Sequence, residues 1–143
     1  MERISERLAI VSTLDPVSQS AATVTGDSID MNVYSRVVFV LLTGALGTNA
    51  TVDLAIKGDT ASGGSYATTI TGKSLTQLVK ASNDNSQAVI EVTADAVAAQ
   101  GFRYVRPSLT VGTAASLIAL VALAQCDYSP AADYDLSTVA QIV

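Results

Sequence analysis

Apolar and polar residues alternate in short runs along most of this chain, and clusters of turn residues separate the runs. Residues 36–43 (RVVFVLLT) are apolar on both faces, as a central strand would be. Residues 44–49 (GALGTN) read as a turn. Residues 50–57 (ATVDLAIK) then alternate, with Val52, Leu54 and Ile56 on one face and Thr51, Asp53 and Lys57 on the other. The two runs predict a hairpin. Residues 58–65 (GDTASGGS) have the composition of a flexible loop tip, and 66–71 (YATTIT) form a threonine-rich strand. Residues 75–81 (LTQLVKA) fit a helix or a strand. The strand is favoured, because 87–93 (QAVIEVT) offer a partner across the turn Asn83-Asp84-Asn85. Residues 95–100 form one helical turn, capped by Asp95 and stopped by Gly101. In 103–111 (RYVRPSLTV), Val105, Pro107, Leu109 and Val111 share a face. Pro107 has no N–H to give, which predicts an edge strand or a bulge. Residues 116–125 run back after a short turn, and 20–25 and 28–33 are weaker strands.

The total is about eight short strands, spaced as in an all-β, antiparallel β-sandwich of jelly-roll type. The sandwich spans 20–126. Residues 1–19 and 127–143 lack its period and read as N- and C-terminal arms, able to fold back or to add a strand to a neighbour.

Residues 117–124 (LIALVALA) have no polar side chain. They are far too few to cross a membrane, which takes about 20 apolar residues in a helix. The short, mixed-charge N-terminus MERISERLAIVS is not a secretion signal. In a two-layer sandwich one face of each strand normally meets water. Residues 36–43 and 116–125 break that rule, so their second faces need cover from a tail or from another chain.

Composition narrows the chemistry. The 143 residues suit one domain. Eight Lys and Arg are scattered through a chain of net charge −5, so the basic stripe of a nucleic-acid binder is missing. With no histidine, the commonest general base and metal ligand is gone. Cys126 is single, fits a chain made in a reducing cytoplasm, and reads as a small buried hydrophobe rather than a thiol nucleophile. Asp133 and Asp135 are solvated rather than paired for catalysis. The run NDNSQ at 83–87 begins like a calcium loop but lacks its closing Glu. Gly44 and Gly47 do not lead into a phosphate loop. No catalytic set, metal site or cofactor is expected.

Arg103 and Arg106 stand three apart in a strand and so face opposite sides. One near the core face would need a carboxylate, and the other is free for a partner; the plainer reading is a surface ion pair, which contributes little, and a contact to another subunit ranks below it. The candidate protein-contact residues are therefore Arg103, Arg106, Ile118, Leu120 and Ala122, with Tyr128, Tyr134, Leu136, Val139 and Ile142 in the C-terminal arm.

Four stretches, in order, resemble a known family: YSRVVFV, VDLAIKGDTASGGSY, LTQLVKASNDN and GFRYVRPSLTV. They are similar to the cement, or decoration, proteins of tailed-bacteriophage heads over roughly residues 20–130. The resemblance implies a jelly roll without catalysis or cofactor. It implies a virion protein, made in the host bacterial cytoplasm, that sits outside an assembled shell. Its partners would be a major capsid protein of HK97 fold and a second copy of itself, with no nucleic acid or membrane. The alternative is a virion sandwich that binds host carbohydrate or receptor. That role wants exposed aromatic rings, and only Tyr34, Tyr66, Tyr104, Tyr128 and Tyr134 are offered. An enzyme ranks third.

Overall fold

The computed structural model describes residues 4–126 together with residues 140 and 141. A one-turn helix, α1 (Ile4–Arg7), leads into β1 (Leu8–Gln19). Then come β2 (Ala22–Thr25), β3 (Ile29–Asp30), β4 (Tyr34–Thr43), β5 (Thr51–Asp59), β6 (Thr68–Ser74) and β7 (Leu78–Val79). A second single turn, α2 (Lys80–Asn83), precedes β8 (Gln87–Thr93). After α3 (Ala94–Ala98) come β9 (Tyr104–Gly112) and β10 (Ser116–Cys126).

One antiparallel sheet has the order β1-β10-β4-β8. The other has the order β2-β9-β5-β6, with β3 also on β9 and β7 also on β5. β2 and β3 follow one another along β9, and β6 and β7 both lie along β5, so each couple is one interrupted strand. That leaves eight positions, the number the sequence predicts, although β1 was not among those it counted. Their pairing is nested: first with last, second with seventh, third with sixth, fourth with fifth. A long hairpin wrapped over itself in this way is a jelly roll.

Nesting overturns the expected hairpins. β4 and β5 lie in different sheets, as do β7 and β8, and β9 and β10. Consecutive strands usually neighbour one another, but here these connections cross between layers, and β5 to β6 is the hairpin that stays within one sheet. The Asn83-Asp84-Asn85 turn clamps the crossing loop instead. Asp84 Oδ1 accepts from the Leu46 N–H at 2.9 Å, and Lys80 Nζ donates to Leu46 O at 2.7 Å and to Asp84 Oδ2 at 2.9 Å. Most of 75–81 is therefore loop and helical turn, with only Leu78–Val79 in strand.

Residues 8–19 are not an arm. They form the edge strand β1, and Ala9 and Val11 enter the core. The period is hidden because two register shifts, between Ile10 and Ser12 and between Leu14 and Val17, reset the alternation. The expected edge position of β9 is also corrected: it lies between β2/β3 and β5. Pro107 is tolerated there because its neighbour strand is broken opposite it. Its carbonyl accepts from the Gly26 N–H at 3.0 Å, so its nitrogen faces the same gap and owes no ladder bond. Gly26 is bare for a reason, since a Cβ there would run into Ser12 Oγ and lie 2.8 Å from Pro107 Cγ. In α3 the cap is Thr93, whose Oγ1 accepts from the Ala96 N–H at 3.4 Å. Asp95 sits in the first turn, and Gly101 ends the element with φ +79°.

The core lies between the sheets. Val37, Phe39 and Leu41 of β4, with Ile118, Leu120, Ala122 and Ala124 of β10, meet Val52, Leu54 and Ile56 of β5 and Val105, Leu109 and Val111 of β9. Buried Thr43 and Ser12 are both satisfied. The Thr43 hydroxyl reaches Asn83 O and Ser86 O at 3.0 Å, and Ser12 Oγ accepts from the Asp27 N–H at 2.8 Å.

Candidate interaction surface

The two outer faces of the sandwich differ sharply. On the β2-β9-β5-β6 sheet, the outward rows are polar. Thr23, Thr110 and Asp53 stand abreast, with the two threonine hydroxyls 2.8 Å apart and Gln77 Nε2 donating to Asp53 at 2.8 Å. Arg106 lies beside Lys57, and Tyr104 beside Asp59.

The β1-β10-β4-β8 sheet is the reverse. Register places Thr13, Val121, Val40 and Val89 in one outward row. Ile10, Leu123, Val38 and Glu91 form the next, and Ala119, Leu42 and Gln87 the one on the other side. Leu42 and Leu117 remain 41% and 47% exposed, and Val89 58%. The bulge between Leu14 and Val17 opens a shallow groove at one end, lined by Pro16, Val17, Leu42, Leu117 and Ala119. Polar side chains reach this face only at its margin. Arg36 and Glu91 stand 4.0 Å apart there, both well exposed, a separation and setting that contribute little. A contiguous apolar sheet face with a polar rim is the layout of a protein-contact surface.

The expected contact residues are placed as follows. Ile118, Leu120 and Ala122 are only 3%, 0% and 0% exposed, so the expectation that they meet a partner is corrected: they are core. The outward face of β10 is the opposite one, Leu117, Ala119, Val121 and Leu123. Both faces of the strand are apolar, so composition did not say which turns inward; the complete burial of Leu120 and Ala122, beside Leu41 and Phe39 of β4, does. Val38, Val40, Leu42 and Val89 were missed. The signal for the three on β4 was available, since 36–43 are apolar on both faces.

Arg103 and Arg106 lie on the other layer and are engaged within the chain. Arg103 forks onto Asp30, Nε to Oδ1 at 2.9 Å and Nη2 to Oδ2 at 2.6 Å, and covers the Tyr104 ring at 5.0 Å. Arg103 precedes β9 and is exposed, so its carboxylate makes a surface ion pair rather than one near the core face. Arg106 is covered by the Tyr66 ring at 4.3 Å. Tyr66 is held at φ +50° by Asp59, whose Oδ2 accepts its N–H at 3.0 Å, and its hydroxyl bonds Ser28 Oγ and Ser62 O. Tyr34 and Tyr66 are buried, so neither offers a sugar platform. Tyr128, Tyr134, Leu136, Val139 and Ile142, and the side chain of Cys126, lie outside the described residues.

Three carboxylates sit below the ordinary range. Asp30 is lowered chiefly by the Arg103 hydrogen bond, Asp84 by Lys80 and then the Leu46 N–H, and Asp59 by the N–H groups of Tyr66 and Ala61. Each keeps its charge to lower pH in the folded chain than in the unfolded one. Their stabilisation is therefore present above about pH 4 and is lost as pH falls through the folded values. Thermal melts should be flat from pH 8 to about 5 and drop steeply toward pH 3. Asp30→Asn should make that drop shallower, and an identical drop in the variant would contradict the assignment.

Among the described residues, no group of three His, Cys, Asp or Glu is placed to hold a metal ion, and no helix is long and apolar enough to cross a membrane. No family model and no curated protein matches the chain. Among solved structures it is similar to a point mutant of the VP2 protein of infectious bursal disease virus in T=1 particles, at 12% identity and TM-score 0.46 over 87% of this chain. It is similar also to a structure of the Gx strain of that virus, at 8% and 0.39 over 86%. A third is the tobacco streak virus coat protein, at 10% and 0.34 over 94%. The chain spans 33% of each bursal-disease virus chain and 96% of the coat protein. The jelly-roll assignment rests on the nested strand pairing.

Proposed function

We propose that this chain is a structural virion protein that binds the outside of an assembled, HK97-type phage shell and cements neighbouring capsid subunits. The observation that carries the reading is the apolar outer face of the β1-β10-β4-β8 sheet, built around Val38, Val40, Val121 and Leu123. The sequence resemblance to head cement proteins supplies the kind of partner. Sheet β2-β9-β5-β6, with its polar outer rows, is the layer left to solvent.

The mechanism is mass action. A protein that binds only the expanded shell stabilises that state by RT ln(1 + [L]/Kd) at each site, and the contribution is repeated at every lattice position. Nothing in this requires a pocket or a reacting group. A rigid, preformed sheet face loses little conformational entropy on docking, so more of the buried apolar area appears as affinity.

The test is sedimentation of the purified chain with expanded and unexpanded shells of the phage that encodes it. The protein should pellet saturably with expanded shells and raise their disruption temperature. Protein left in the supernatant with both shells would contradict the reading.

A further inference from the structure

The geometry points to a second site of a different kind: the free edge of β8, where a second copy of this chain adds its own β8 in antiparallel register. This rests on the edge alone and does not depend on the shell reading.

A sheet edge is a row of unpaired main-chain groups, and proteins usually blunt it with proline, bulges, lysine or very short strands. Three of the four edge positions here are blunted. β1 carries Asp15-Pro16 and two register shifts. The β2/β3 edge is broken at Gly26 into pieces of four and two residues. The β6/β7 edge has a register shift against β5, Gly72 at φ +73°, and Lys73. β8 has none of these. It is seven residues long, pairs with β4 without a shift, has no proline or basic residue, and carries one charge, Glu91. Among the described residues no strand lies on its outer side.

The phase of the edge is fixed. Ser86 O accepts from the Thr43 N–H at 2.9 Å, so Ser86, Ala88, Ile90 and Val92 direct their main-chain groups at β4. Gln87, Val89 and Glu91 direct theirs outward. A twofold contact must pair β8 with itself about one residue. Centred on Val89, the pairing sets Val89 against Val89 and Gln87 against Glu91, and all three positions exchange main-chain bonds. Centred on Ile90, Val89 meets Glu91. Centred on Glu91, like charges meet. The Val89 register is the one that satisfies both the bonds and the side chains. The occupant is a second copy because the apolar outward row Val121, Val40, Val89 then runs unbroken into the same row of its partner. Val89, already 58% exposed, stands at the seam.

The test uses the full chain at tens of micromolar. Sedimentation equilibrium should return twice the 14.7 kDa chain mass. Val89→Pro removes an outward N–H that β4 does not use, so it should keep the circular dichroism spectrum and weaken self-association by about 30-fold or more. Val89→Cys in a Cys126→Ser background should form a disulfide-linked dimer on mild oxidation, since opposed antiparallel residues lie within bridging range. A folded Val89→Pro protein that stays dimeric overturns the proposal, as does a Val89→Cys protein that does not cross-link. A monomeric wild type whose Val89 amide exchanges slowly would place residues 127–143 of the same chain on the edge, and also overturns it. A monomer that still pellets with shells sinks this inference and leaves the shell role standing; a dimer that ignores shells does the converse.

Discussion

Val121→Lys should abolish shell binding while leaving the fold intact. Val121 sits at the centre of the outward face, between Thr13 on β1 and Val40 on β4. It is half-buried in the free protein, so a lysine there can lay its stem along the sheet and keep its ammonium in water. The folding cost is about 1 kcal/mol, the range of strand preferences. Docking changes the account. The ammonium would have to enter an apolar contact without a carboxylate to meet it, which costs several kcal/mol. At 1.4 kcal/mol per factor of ten, affinity should fall by roughly 100-fold or more. Pelleting titrations read that directly. Thr110→Lys, on the opposite layer, should bind as the wild type does.

Leu120→Ala, one residue away, should do the opposite. Leu120 is fully buried against Leu41 and Leu14. Truncating it removes a core side chain and leaves a cavity, at about 2–5 kcal/mol. Domains of this kind hold about 5–15 kcal/mol in total, so this is a large share. The thermal midpoint should fall by roughly 10 °C or more. At low temperature, where the variant is folded, shell affinity should be unchanged. Chemical denaturation with circular dichroism checks the first part and pelleting the second. A stable Leu120→Ala protein that no longer binds would mean that the two faces of β10 have been exchanged.

That reversal is where the sequence ran out. Strands β5, β8 and β9 are visible in the alternation and β4 and β10 as unbroken apolar runs, and Val105, Leu109 and Val111 of β9 were correctly placed on one face, the inward one. β10 was not, because leucine, valine and alanine populate both its faces, and a one-residue slip exchanges core for surface. What fixes the parity is long-range packing, the burial of Leu120 and Leu41 between the two sheets, which no local pattern contains. β1 was hidden for a different reason: its bulges shift the phase twice within twelve residues. Of the two readings of Pro107, edge or bulge, the edge fails: the missing donor is accommodated by an interruption of the neighbouring strand at Gly26. The apolar outer face was nevertheless readable from residues 36–43 and 116–125, since two strands with no polar face cannot both be covered by two layers.

The most direct measurement is hydroxyl-radical footprinting of the free and shell-bound protein, read residue by residue. Val38, Val40, Val121 and Leu123 should lose labelling on binding, while Tyr104 and Lys57 on the other layer keep theirs. Unchanged labelling of those four side chains in the bound protein, or protection of Tyr104 and Lys57 in their place, would contradict the claim that the oily outer sheet is the docking face.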